Sequence, residues 1–79
     1  IISRSGNMML TSEQFGAAIR SARKAQGMRQ DQLAGAAGVG LRFIVDLEAG
    51  KSSTQLGKAL AVASALGLNV SITEPGAKR

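Results

Sequence analysis

Apolar residues recur three and four positions apart along most of the chain, a spacing that predicts short amphipathic α-helices. The first helix is predicted to begin at Thr11, because Thr11 and Gln14 have the spacing of a capping box and Leu10 can pack on Phe15 across it. Gly27 fits the left-handed residue that ends such a helix. The buried face of this helix is predicted to comprise Phe15, Ala18, Ile19 and Ala22.

Three further helices follow, and a glycine closes each of them. They are predicted over residues 30–37, over residues 41–49, and from Ser53 or Thr54 to the residue before Gly67. The positions expected to face the core in the two central helices are Leu33, Ala34, Ala37, Ile44 and Leu47. Those of the last helix are Leu56, Ala59, Leu60, Ala63 and Leu66.

The short segment 38–40 joins the two central helices, which predicts a helix-turn-helix motif. Ala34 is small where the two helices must approach each other, and Gly38 permits the positive φ that most residues resist. Val39 can fill the angle between the helices. This packing leaves the outer face of the second helix of the motif free to contact a partner.

The pattern changes at Leu68, after which apolar and polar residues alternate as in a half-buried strand. A lone strand over residues 68–74 needs a partner for its backbone groups. A second copy of the same strand, antiparallel about a two-fold axis, is the simplest partner; the alternative is the chain's own residues around Ile1 and Ile2. The expected dimerisation residues are Leu68, Val70 and Ile72. Residues 1–10 are interpreted as an N-terminal extension, either disordered or foreign to the native protein, and residues 75–79 as a flexible basic tail.

A chain of 79 residues is long enough for one domain. The predicted helices make that domain mainly α, with four helices over residues 11–67. Aromatic residues make up only 3% of the chain, so the core must be built from Leu, Ile, Val and Ala. Ten basic residues against five acidic ones give a net charge of +5. Such a surplus attracts polyanions, with nucleic acid the leading candidate and an anionic membrane the second.

Several functional classes are disfavoured. The chain has no His and no Cys, which are the commonest metal ligands, and no pairing of a nucleophile with a base is evident. We therefore predict no enzyme activity, no metal and no cofactor. No apolar stretch of about 18 residues is present, and the N-terminus lacks the layout of a signal peptide. These features predict no membrane association and a cytoplasmic, nucleoid-associated protein.

The helix-turn-helix segment closely resembles the XRE, or lambda-repressor-like, family over about residues 11–67. The residues that meet the family pattern are Gln30, Leu33, Ala34, Gly38, Val39, Ile44, Glu48 and Gly50. Within the family, the runs 43–51 and 55–60, and a strand after residues 65–68, are most similar to HipB-type antitoxins. The resemblance implies a homodimer that represses its own operon at a palindromic DNA operator and binds a HipA-like kinase toxin. The alternatives are a solitary or phage-type regulator and a module that only docks a protein partner.

The resemblance also implies which residues contact DNA, because the second helix of the motif would lie in the major groove. The predicted DNA-binding residues are Arg29, Gln30, Gly40, Leu41, Arg42, Phe43, Asp46 and Lys51. Arg42 is the best candidate to read a base, since its planar fork can bond guanine O6 and N7 together, and a phosphate contact or a solvated side chain is the alternative. Leu41 either touches a thymine methyl or packs locally, and core packing is preferred for Phe43.

Other positions receive less direct roles. Asp46 either meets a cytosine amino group or pairs with Arg42, and pairing is preferred. Gln30 is expected to bond a phosphate at the start of its helix. Members of the family usually carry Thr or Ser at the positions of Arg29 and Gly40, so the hydroxyl contacts are lost here and Arg29 substitutes through its charge. Arg23 and Glu48 match a family ion pair that is structural.

Overall fold

The computed structural model describes residues 10–71, and this part of the chain folds into four α-helices around one core. They are α1 (Ser12–Ala25), α2 (Gln30–Ala37), α3 (Leu41–Glu48) and α4 (Leu56–Ala65). The predicted four-helix, mainly α architecture is therefore confirmed. Within the same residues, no helix is long and apolar enough to cross a membrane.

The capping signals read from the sequence are present at α1. The Thr11 hydroxyl accepts from the Gln14 amide at 3.0 Å, and the Thr11 amide donates to Gln14 Oε1 at 3.0 Å. Two of the orphan donors at the helix start are thereby satisfied. The helix ends at Ala25, and Gly27 follows with a φ of +70°.

One large side chain from each helix is fully buried, and these four side chains form the centre of the core. They are Ile19, Leu33, Ile44 and Val62. Around them lie smaller buried residues and, at the edge, the half-buried rings of Phe15 and Phe43. A core this poor in aromatic residues depends on the close approach of short helices.

The predicted buried face of α4 is wrong in part. Leu56 and Leu60 are 71% and 40% exposed, whereas Val62, which was not assigned to the core, is fully buried. The helix also begins later than predicted, with Gln55 rather than Ser53 or Thr54 as its N-cap. The face that meets the core is formed by Ala59, Val62, Ala63 and Leu66, so the two exposed leucines lie to one side of it.

Glycine allows α1 and the end of α3 to approach closely. Gly16 is buried in α1, and a Cβ added there would collide with the carbonyl oxygen of Leu47. Gly50, just after α3, has a φ of +88°, and a Cβ there would lie 3.1 Å from Glu13 Cα. This approach brings the side chains at the end of α3 against α1.

After α4 the chain turns back onto the core. The Leu68 amide donates to the Ala63 carbonyl at 2.9 Å, and the Leu68 side chain packs against the core of its own subunit. Residues 68–71 form no strand in the isolated subunit, and Val70 is 47% exposed. Ile72, the rest of the predicted strand, residues 1–9 and the predicted tail lie outside the described residues. The dimerisation strand thus stays a prediction.

Candidate nucleic-acid interface

The motif formed by α2, the turn and α3 has the predicted geometry. Gly38 ends α2 with a φ of +73°, and the Val39 amide donates to the Ala34 carbonyl at 3.0 Å. Ile44 and Leu47 anchor α3 to the core and are 0% and 3% exposed. The opposite face of α3 is consequently turned to solvent.

The Asp46 carboxylate forms ion pairs with two cationic side chains beside this exposed face, those of Arg42 and Lys51. Its Oδ1 lies 3.3 Å from Arg42 Nε, and its Oδ2 lies 3.6 Å from Lys51 Nζ. The preferred pairing of Asp46 with Arg42 is therefore present. Because the contact uses Nε, the two terminal nitrogens of Arg42 can still donate to another partner. The Arg42 side chain is 85% exposed, whereas that of Asp46 is 24% exposed.

The start of α3 exposes one apolar residue and buries part of another. Leu41 is 49% exposed beside Arg42, while the half-buried Phe43 packs against the core. The Lys58 ammonium lies 5.9 Å from the centroid of the Phe43 ring, within the range of a cation–π contact. Gly40 is the N-cap of α3 and offers no side chain there. Sequence reasoning did not predict the contact between Lys58 and Phe43, because it joins residues of α3 and α4 that only the fold brings together.

Arg29, at the N-cap of α2, has an acidic neighbour that was not anticipated. Its Nε donates to Asp31 Oδ1 at 3.1 Å, and both side chains are more than half exposed. This hydrogen bond lowers the pKa of Asp31 below its ordinary value. Gln32 Oε1 accepts from the Arg29 amide at 2.8 Å, which caps the helix start. The Arg29 guanidinium is therefore already paired with a carboxylate when no DNA is bound.

The predicted ion pair between Arg23 and Glu48 is formed and almost fully buried. Arg23 Nε and Nη2 donate to the two carboxylate oxygens at 2.7 and 2.9 Å, and Nη1 donates to the Met28 carbonyl at 2.8 Å. The side chains are 9% and 4% exposed. The hydrogen bond to Glu48 raises the pKa of Arg23 above its ordinary value, so the guanidinium stays charged. Gln30 Nε2 donates to Glu48 Oε1 at 3.2 Å, which sequence reasoning did not foresee.

An open cleft lies beside this pair, where α1, the start of α2 and the end of α3 meet. The residues that line it are Arg20, Arg23, Gln30, Val45, Glu48 and Ala49. Arg20 was not among the predicted site residues. The structure thus brings Arg42, Asp46 and Lys51 together on and just after α3, and places Gln30 beside the Arg23–Glu48 pair. Arg29 belongs to neither group, because it pairs with Asp31.

The comparisons with known proteins agree with this geometry. Residues 19–73 match the family described as Helix-turn-helix. The HTH-type transcriptional regulator y4mF of Sinorhizobium fredii (strain NBRC 101917 / NGR234), itself uncharacterised, is 56% identical over 69 residues, which are 87% of this chain and 91% of that protein.

Two solved structures share the fold. They are chains of the HipA–HipB–O2–O3 complex and of the HipB–O4 20mer complex. Each superposes with a TM-score of 0.76 at 20% sequence identity and covers 87% of this chain and 97% of its own length. The family match spans most of the chain, and the y4mF relative is more than half identical over 87% of it. The chain therefore belongs to the helix-turn-helix family of XRE type and is an HTH-type transcriptional regulator.

Proposed function

We propose that this protein is a sequence-specific, homodimeric repressor that binds a palindromic operator through α3. The observation that carries the proposal is Arg42, which projects from the solvent face of α3 with its Nε 3.3 Å from Asp46 Oδ1. The ion pair at Nε leaves the two terminal nitrogens of Arg42 as a fork, the geometry that bonds guanine O6 and N7 together. Lys51, on the other oxygen of Asp46, supplies charge for the DNA backbone.

A homodimer would present two copies of α3, and therefore two Arg42 side chains, to the DNA. Two copies of α3 related by a two-fold axis read half-sites about 34–36 Å apart, or a multiple of that distance. The basic surplus of the chain favours the same reading, because each phosphate contact releases counterions. Affinity is therefore expected to fall steeply as salt rises.

The test is selection of binding sites from random DNA duplexes, followed by footprinting on the DNA upstream of the gene. Wild-type protein is expected to enrich one palindrome. Arg42→Ala should relax the preference at one symmetric base pair, at a cost of about 1–3 kcal/mol of discrimination. Lys51→Ala is the matched control, since loss of a phosphate contact weakens all sequences about equally. Recovery of the same palindrome by Arg42→Ala would contradict the assignment of Arg42.

We further propose that the repressor is an antitoxin that binds a HipA-like kinase. Support comes from the residue runs similar to HipB-type antitoxins and from the fold shared with a chain of the HipA–HipB–O2–O3 complex. A kinase-like reading frame adjacent to the gene, whose product co-purifies with this protein, is the expected finding. A gene that stands alone would instead favour a solitary regulator, and a folded dimer without DNA affinity would favour a protein-docking module.

A further inference from the structure

We propose that Asp46 determines how strongly the protein distinguishes its operator from other DNA, and that it does so without contacting the DNA. Its carboxylate holds Arg42 in place to read a base and partly neutralises Lys51, so neither cation binds phosphates freely. The inference rests on the proposed operator-binding function and adds a positioning residue to it. Asp46 thereby lowers the affinity for DNA in general and preserves the affinity for the operator.

Asp46 is the most buried member of this group of three side chains. Its side chain is 24% exposed, against 85% for Arg42 and 53% for Lys51. Each carboxylate oxygen faces a different cation, with Oδ1 3.3 Å from Arg42 Nε and Oδ2 3.6 Å from Lys51 Nζ. Two cations therefore share one anion, and the anion is the partner with the least freedom to move.

The local backbone brings both cations to the carboxylate. Gly50 follows α3 with a φ of +88°, and the Lys51 amide then donates to the Asp46 carbonyl at 3.0 Å. Arg42 stands one turn before Asp46 on the same helix, at the spacing that lets two side chains meet. The positions from which the cations reach Asp46 are thus set by the end of α3 and not by the arrival of DNA.

The stability of α3 gives little reason for a carboxylate at this position. Asp46 lies in the last turn of the helix, where the negative end of the helix dipole disfavours a further negative charge. Ion pairs with exposed partners add little to stability. In DNA binding the carboxylate has a larger consequence, because it repels phosphates that approach Arg42 and Lys51. A guanine edge offsets this repulsion by offering Arg42 two acceptors at once.

The experiment measures affinity as a function of salt for two duplexes, the palindrome selected by the wild-type protein and a mixed sequence. Asp46→Asn keeps the shape of the side chain and removes its charge. Affinity for the mixed sequence is expected to rise about fivefold with a steeper salt dependence, since Lys51 is released toward phosphates. The ratio of the two affinities should fall about tenfold, because Arg42 loses the charge that holds it for a base.

Asp31→Asn is the matched control, because it removes the same charge but releases Arg29 and leaves Arg42 paired. It is expected to strengthen binding to both duplexes alike, so the ratio of affinities should not change. A ratio lowered equally by the two variants would overturn the proposal, since the effect would then be one of net charge. A ratio unchanged by Asp46→Asn would overturn it as well. Urea unfolding verifies that both variants are folded.

A second comparison distinguishes positioning from direct contact with a base. In an Arg42→Ala background, Asp46→Asn should leave the remaining base preference unchanged, because Asp46 acts through Arg42. A changed preference in that background would show that Asp46 itself meets a cytosine amino group, which would refute the positioning role.

The inference and the proposed function can fail separately. If Arg42→Ala relaxes the base preference while Asp46→Asn behaves like Asp31→Asn, the inference fails and the proposed function stands. If the wild-type protein selects no palindrome, both fail.

Discussion

Two glycines stand inside helices in similar local sequences, but helix packing requires only one of them. Gly16 lies within α1 at its contact with α3, and a Cβ there would meet the carbonyl oxygen of Leu47. Gly35 lies within α2, and a Cβ there would meet nothing within 4 Å. Local sequence cannot distinguish them, because each simply stands inside a helix. Only the packing of α1 on α3 makes the first one necessary.

Alanine substitutions should therefore shift stability in opposite directions. Gly16→Ala is expected to destabilise the domain by about 1–3 kcal/mol, since the backbone of Leu47 must move. Gly35→Ala should stabilise it by about 0.5–1 kcal/mol, because alanine loses less backbone entropy in a helix. Urea unfolding of both variants measures the two shifts. Stabilisation of the domain by both substitutions would show that α1 and α3 are not in close contact.

Asp31 pairs with Arg29, a residue predicted to contact DNA, and so competes with DNA for the Arg29 guanidinium. The pKa of Asp31 is lowered by the hydrogen bond from Arg29, so its charge persists well below neutral pH. Any stabilisation from the pair is present above the ordinary carboxyl pKa and is lost only as the pH falls through the lowered value. At neutral pH the cation must therefore exchange one anionic partner for another when DNA binds.

Asp31→Asn is consequently expected to strengthen DNA binding. Affinity for a mixed-sequence duplex should rise by up to about fivefold, the range of an exposed ion pair, and the salt dependence should become steeper. The pH of the measurement is kept near neutral, where Asp31 is ionised. Glu13→Gln makes the same change in net charge at an exposed residue outside any described ion pair. Equal gains in the two variants would mean that Arg29 is not released toward DNA.

Whole elements were predictable where their signals are local. The capping box at Thr11 and the glycines after α1, α2 and α3 define those three helices in the sequence, and the structure places the helices there. The start of α4 was not predictable in this way. Ser53 and Thr54 are better capping residues than Gln55, yet the chain makes its first helical residue Leu56. The hydrogen bond from Gln30 to Glu48 also escaped sequence reasoning, because it joins residues brought together only by the fold.

Because α4 has no side-chain cap at its start, a capping residue introduced there should raise the free energy of unfolding. Gln55 has extended backbone dihedrals (φ −77°, ψ 123°) and no side-chain hydrogen bond to the helix start. Gln55→Ser places a hydroxyl where it can accept from the first-turn amides and should raise the free energy of unfolding by up to about 1 kcal/mol. The midpoint of urea unfolding should rise with an unchanged slope. Gln55→Ala controls for the loss of glutamine and should bring no gain.

At the scale of the whole molecule, the mode of dimerisation depends on which exposed residues would contact a second copy of the chain. Leu68 is partly buried against the core of its own subunit, while Val70 is half exposed and Leu56 is 71% exposed on α4. If a dimer forms through paired strands, the backbone of residue 70 matters more than its side chain. If a dimer forms through apolar side chains, the exposed leucine of α4 matters instead. The two modes of assembly therefore respond to different substitutions.

Val70→Pro separates these modes of assembly. Proline keeps an extended backbone and removes the amide donor, so a dimer held by strand pairing should dissociate to monomers in sedimentation experiments. Leu56→Ser removes exposed apolar surface without touching that backbone and should leave the dimer intact. Because an operator with two half-sites needs both copies of α3, Val70→Pro should also lose tight binding while each monomer stays folded. A dimer of undiminished stability in Val70→Pro, together with dissociation in Leu56→Ser, would move the interface from the strand to α4.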